Sequence, residues 1–251
     1  GMGGLMSITG LPGQGPVRVG VPIADLTAGV FCAMGILVAL LEREVSGQGQ
    51  WVQTSLLQAQ IAMLDFQAAR WLIGHEVPGQ AGNDHPTGIP TGVFPTADGH
   101  INIAAAGQGL WLRLCAALGD DALAKHPDYA NDKARSKNRA ALNKVLAEKT
   151  RLRPSLEWID LLNEAGVPCG PINKMDQVFA DPQVRHLGIA QAVEHHKLGA
   201  IDLVGQAVEL SRTPSRLYAA TPERGEHTDE VLSELGFDQS AIADLRRRQV
   251  V

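Results

Sequence analysis

Between Leu26 and Leu41 the chain runs through 16 residues without a charged side chain, and Asp25 and Glu42 bracket the run. The pattern predicts a helix from about Asp25 to Glu44. The Asp25 carboxylate is placed to accept orphan N–H groups of the first turn, and Ser46-Gly47-Gln48-Gly49 offers a glycine stop. The run falls short of the roughly 20 apolar residues of a membrane span, which favours a buried helix. Trp51 to Ile73 repeats apolar residues at helical spacing up to Gly74, and Val77 to Pro95 is rich in glycine, proline and small polar residues, as a connecting loop would be. Val93-Phe94-Pro95 and His100-Ile101-Asn102-Ile103-Ala104 then alternate around Asp98-Gly99, a strong hairpin signal. Helices are predicted at about 109–118, 136–149, 155–165 and 173–180. Val193, Ile201, Leu203 and Val208 suggest two or three short strands, and two helices follow at about 227–236 and 240–248.

Composition narrows the class of protein. Of 251 residues, 45% are hydrophobic and 20% charged, which excludes a disordered, fibrous or coiled-coil chain. With 22 Lys+Arg against 27 Asp+Glu, the net charge of −5 provides no basic footprint for nucleic acid. Cys32, Cys115 and Cys169 are an odd, widely spaced set without a CxxC pair. That excludes zinc ribbons and thioredoxin-type sites and points to a reducing compartment, hence the cytoplasm. No membrane partner and no signal peptide are expected, and Gly1 before Met2 reads as a tag remnant.

The chemistry-bearing residues exclude more than they assign. Gly13-Gln14-Gly15 is followed by Arg18 where a dinucleotide fingerprint needs its third glycine. None of the eight histidines sits in a metal-ligand spacing. His195 and His196, as strand neighbours, are expected on opposite faces, so no metal site is assigned. No GxSxG elbow or Walker A loop is present. Cys169, in Val167-Pro168-Cys169-Gly170-Pro171, is expected to be a structural thiol in a tight turn, and Arg246, Arg247 and Arg248 a solvated helix end.

Six segments, in order, resemble the class III CoA-transferase (CaiB/BaiF) family, the group of formyl-CoA transferase, carnitine CoA-transferase and α-methylacyl-CoA racemase. They are Gly3-Gly4-Leu5-Met6-Ser7-Ile8-Thr9-Gly10; Val19-Gly20-Val21-Pro22-Ile23-Ala24-Asp25-Leu26; Leu40-Leu41-Glu42-Arg43 through Gly47-Gln48-Gly49-Gln50; Gly82-Asn83 through Pro86 to Gly92-Val93-Phe94 and Asp98-Gly99; Gly166 to Pro171; and Gly225-Glu226-His227-Thr228-Asp229-Glu230-Val231-Leu232. The resemblance implies an α/β fold, with an incomplete Rossmann-like large domain, an inserted smaller α+β domain and two interlocked subunits. Residues 1–79 would end the first large-domain segment, 80–190 form the small domain, and 191–251 return to the large one.

The implied reaction moves CoA from an acyl-CoA thioester to a free carboxylic acid through an aspartyl anhydride, with coenzyme A as substrate, a homodimer as the assembly and no other cofactor. The resemblance is read as placing the nucleophile ahead of the first block, and Asp25, at the end of the second block, is read as not being that residue. No catalytic residue is therefore assigned within the chain, and the chain alone is expected to be inactive. His85, Pro86, Thr87, Gly88 and Ile89 stand where formyl-CoA transferase has its glycine-rich closing loop, and are the expected substrate-binding residues. Only Gly88 keeps the glycine, and Pro86 stiffens the segment. Glycine at positions 87 and 89 is expected to alter turnover and spare stability. A racemase on the same scaffold and an inactive remnant stay open as alternatives.

Overall fold

A computed structural model describes residues 1–251. The chain divides into two compact units, Gly1–Ile172 and Asn173–Val251.

The first unit begins with the short helix α1 (Leu5–Ile8), followed by α2 (Ile23–Ser46), α3 (Leu56–Ala62) and α4 (Phe66–Leu72). Gly47 ends α2 at φ 72°, the left-handed stop expected of glycine. The start differs from expectation. Pro22 is the N-cap, and Asp25 lies in the first turn without a capping hydrogen bond. Proline's fixed φ suits helix entry, which leaves the carboxylate without a capping role. At 24 residues, α2 is long and apolar enough to cross a membrane by length and composition, yet Ala28 alone is buried along it. Burial by this chain's own residues, expected for this run, is therefore not found. The helix predicted over Trp51–Ile73 is two short ones. Ser55 accepts the Gln58 N–H at 3.2 Å, starting α3 late, and Asp65, at φ 47°, separates α3 from α4.

The hairpin forms as predicted. Strands β1 (Thr91–Pro95) and β2 (His100–Ala104) pair antiparallel, with Phe94 opposite Ile101 and Gly92 opposite Ile103, and these four face inward. Cys169-Gly170-Pro171 is a third strand, β3, rather than a tight turn, and pairs with Ile101–Ile103. As an edge strand it tolerates proline. Helices α5 (Gln108–Ala117), α6 (Asp121–Lys125), α7 (Asp132–Lys137), α8 (Arg139–Thr150) and α9 (Ser155–Glu164) complete this part. Trp111, Leu114, Leu142, Leu146, Leu162 and Val167 are fully buried with Ile101 and Ile103. Burying each large apolar side chain is worth about 1.5–3 kcal/mol. Thr150 ties α8 to β1 by donating to the Pro95 carbonyl at 2.6 Å, and the Trp158 indole donates to the Thr150 carbonyl at 2.7 Å.

The second unit holds α10 (Met175–Ala180), α11 (Pro182–Leu187), the hairpin β4 (Ala190–His195) and β5 (Gly199–Val204), α12 (Thr228–Glu234) and α13 (Gln239–Arg247). All strand pairing in the chain is antiparallel, so the parallel order of a Rossmann-like sheet does not occur within these residues. His195 and His196 stack, with ring centroids 4.8 Å apart. His196 stands in the turn after β4, where strand alternation has ended, so the opposite-face expectation does not hold.

Candidate functional site

Two places in the first unit carry chemistry. The first is a cleft of about 240 Å³ at the start of α2. Leu5 and Met6 of α1, Val19, Val21 and Gln60 of α3 line it, with Arg18 and Asp25 as its charged side chains. Gly3, ahead of α1, faces the Gln60 side chain of α3. Asp25 is the third residue of α2, and no hydrogen bond or ion pair within the chain engages its carboxylate. The site is thus an apolar groove with one free anion, one free cation and the orphan N–H groups of a 24-residue helix.

The second place is the segment His85–Ile89, which is held on several sides. His85 donates its N–H to the Thr91 carbonyl at 2.8 Å, and its ring stacks on Phe66 of α4 at 5.6 Å and 19°. Its Nδ1 accepts from the Gly88 N–H at 2.8 Å and the Thr87 N–H at 3.2 Å. Arg139 donates to the Pro86 carbonyl at 2.6 Å, and the fully buried Arg135 donates to the Ile89 carbonyl at 3.3 Å. Arg135 is itself held by Asp132, the Gln108 side chain and the Tyr129 carbonyl, and lies over the Trp111 ring at 5.2 Å. Ile89 belongs to the buried core. Of the pair chosen to probe turnover without loss of stability, Thr87 alone is exposed, and glycine at 89 removes a core side chain.

Asp84, just before this segment, is half-buried. Desolvation raises its pKa, opposed by the Arg139 charge and a 3.0 Å hydrogen bond from Asn143. Arg18, Phe66, Arg135, Arg139 and Asn143 were not found by sequence reading. Arg135 lies in α7 and Arg139 opens α8, and charged residues of short helices ordinarily mark a solvated face, so nothing in the sequence singles them out.

Neither the buried Cys115 nor the partly exposed Cys169 is activated. Burial pushes Cys169 up to about 11 and Cys115 up to about 12, with Asp120 adding to the latter. In the second unit Glu226 accepts the Glu223 N–H at 2.6 Å, which is the main cause of its lowered pKa, and His196 adds to it.

Residues 1–228 match CoA-transferase family III, and the chain belongs to that family. It is 36% identical over 235 residues to the succinate–glutarate CoA-transferase of Agrobacterium fabrum, covering 94% of this chain and 59% of that protein. It is 35% identical over 249 residues to the succinyl-CoA:glutarate CoA-transferase of Homo sapiens, covering 99% and 57%. The fold is similar to that of a CAIB/BAIF family protein from Brucella suis, at a TM-score of 0.77 and 32% identity over 93% of this chain and 61% of that one. The chain thus spans less than two thirds of the length of these relatives.

Proposed function

We propose that this chain is part of a CoA-transferase that moves CoA from an acyl-CoA thioester to a free carboxylic acid, with Asp25 as the nucleophile. The observation that carries this reading is the Asp25 carboxylate, unpartnered in the cleft at the start of α2 in a chain of this family. It replaces the expectation of a nucleophile ahead of the first sequence block.

The Asp25 oxygen attacks the thioester carbonyl carbon, the C–S bond breaks, and a mixed anhydride and CoA thiolate form. The thiolate attacks the aspartyl carbonyl, releasing the first acid and leaving an aspartyl–CoA thioester. An acceptor carboxylate attacks that carbonyl to give a second anhydride, and the thiolate then takes the new acyl group and frees Asp25. Covalent catalysis divides one difficult exchange into easier steps. The α2 N–H groups favour each oxyanion that forms beside them. The chemistry asks for no metal or redox cofactor.

Relatives named for succinate and glutarate suggest dicarboxylate substrates. Arg18 is suited to take the distal carboxylate, with Val19, Val21, Leu5 and Met6 along the methylenes. The assembly is a cytoplasmic homodimer whose second copy covers the open apolar faces of α2 to α4, and the loop His85–Ile89 contacts the acyl substrate.

The test is transfer from succinyl-CoA to glutarate by the 251-residue chain, alone and co-expressed with the segment that precedes the matched region in the Agrobacterium relative. The pair transfers CoA and the chain alone does not. Asp25→Ala lowers kcat by a factor on the order of 10⁴–10⁶. Full transfer by the Asp25→Ala pair would remove Asp25 from the mechanism. Exchange of the α-proton of a 2-methylacyl-CoA without transfer would make the protein a racemase.

A further inference from the structure

We propose that Gln60 is a further catalytic residue of the transfer reaction. Its side-chain amide donates a hydrogen bond to the oxyanion that forms when Asp25 adds to the acyl carbonyl. The inference rests on the function proposed above and adds a donor that this reading does not use.

Three side chains give the Asp25 cleft its polar groups: Asp25 itself, Arg18 and Gln60. Gln60 is half-buried, and its amide makes no hydrogen bond within the chain. The other glutamines nearby are engaged. Gln58, two residues earlier on α3, accepts from the Ser55 hydroxyl at 2.9 Å, and Gln67 of α4 accepts from Arg70 at 2.9 Å. Gln60 thus presents two N–H donors to the cleft with nothing to receive them. Room is left for it. Gly3 is buried, and a Cβ there would collide with the Gln60 Oε1 and lie 2.7 Å from its Cδ. Gly3 is not in the left-handed region, so what its missing side chain provides is space for this amide.

The chemistry calls for such a donor. When the Asp25 oxygen adds to the thioester carbon, the carbonyl π pair moves onto oxygen, and it returns when the C–S bond breaks. The Gln60 N–H donates to that oxygen meanwhile and keeps its proton. The last step is the same addition with the new acyl group and uses the same donor. The start of α2 is short of donors for this charge. Pro22 has no N–H, and the Ile23 N–H already donates to the Val21 carbonyl at 2.8 Å, which leaves those of Ala24 and Asp25 in the first turn. Arg18 is less suited to the place, because a guanidinium beside the reacting carbonyl would also pair with the Asp25 carboxylate and blunt it as a nucleophile. The amide is neutral and leaves that charge free.

The test uses the co-expressed enzyme with succinyl-CoA and glutarate. Gln60→Leu is expected to lower kcat by a factor on the order of 10², with KM for succinyl-CoA little changed, as loss of a donor used only in the transition state requires. Gln60→Glu keeps the shape. Its carboxyl repels the oxyanion when ionised and donates to it when protonated, so its kcat relative to the parent is expected to rise several-fold from pH 8 to pH 5. The same ratio for Gln60→Leu should stay flat. Gly3→Ala is expected to displace the flexible amide, lowering kcat in the parent and changing nothing further in Gln60→Ala. Should Gln60→Leu fail to fold, Gly3→Ala carries the test with Gln60 retained. A kcat within twofold of the parent in Gln60→Leu or Gly3→Ala overturns the proposal. So does a Gln60→Glu loss that is equal at both pH values, because Gln60 then acts through packing. If the parent enzyme transfers nothing, the proposed function fails and this inference with it; if the parent transfers and Gln60→Leu equals it, this inference alone fails.

Discussion

The hairpin module of residues 90–171 and the helices α2 to α4 contain similar side chains and treat them in opposite ways. In the module, Trp111, Leu142, Leu146 and Leu162 lose all contact with solvent. Along α2 to α4, Leu41 is 71% exposed, Leu72 is 72% exposed, and Trp51 before α3 is 87% exposed. Hydrophobicity is equal in kind; what differs is whether the chain supplies a second layer. Exposed apolar surface of this kind marks an interaction site, which the function proposed above assigns to a second copy. The cleft with Asp25 lies at the edge of that open region, and the His85 segment lies against the closed one.

The sharpest way to break this contrast is to remove equal side chains from the two regions. Leu146→Ala is expected to cost about 2–5 kcal/mol, measured by denaturant unfolding of the module. Leu41→Ala, on the open face of α2, should leave unfolding nearly unchanged and weaken self-association in sedimentation equilibrium. Equal losses of stability would mean that α2 is already covered within the monomer.

Arg135 sharpens the boundary between the regions. Arg135→Met removes the guanidinium that lies over Trp111 and the donors to Ile89, Tyr129 and Gln108, leaving buried acceptors unpaired. A loss of about 1–3 kcal/mol is expected, together with faster exchange at Gly88. On the open side, Arg18→Met is expected to raise KM for a dicarboxylate acceptor about tenfold or more with kcat little changed. A monocarboxylate acceptor should show no such change. An equal rise for both acceptors would remove the distal-carboxylate role.

The smallest effect belongs to the hairpin turn. Asp98 accepts from the Ser155 N–H and hydroxyl, each at 2.8 Å, and from Thr96 at 3.0 Å, and these bonds lower its pKa. A carboxylate with a depressed folded-state pKa adds stability above its unfolded value, near 3.9, and loses it as the pH falls through the folded value. Asp98→Asn should therefore melt slightly below the parent at pH 7, with the gap closing below about pH 4. A gap that persists in acid would mean that the carboxylate charge contributes nothing.

Much of this was legible along the chain. Asp98-Gly99 between alternating strands determined the hairpin and its inward face, because strand period and turn chemistry are local. Gly47 determined the end of α2 for the same reason. The six ordered segments determined the family, now matched over residues 1–228. Other features depended on residues far apart in sequence. Asp25 reads locally as a helix cap and becomes a free carboxylate only once Pro22 takes the cap and α1 and Gln60 build a groove around it. Cys169-Gly170-Pro171 reads as a turn and becomes a strand because β2 has an edge to offer. Arg135 and Arg139 drew no reading from the sequence, yet they hold carbonyls at Ile89 and Pro86, 46 and 53 residues away. Local propensity and spacing specify elements and their ends. The partners of a polar group, and whether an apolar face is covered, follow from which distant segments are brought against it, and only the tertiary structure decides that.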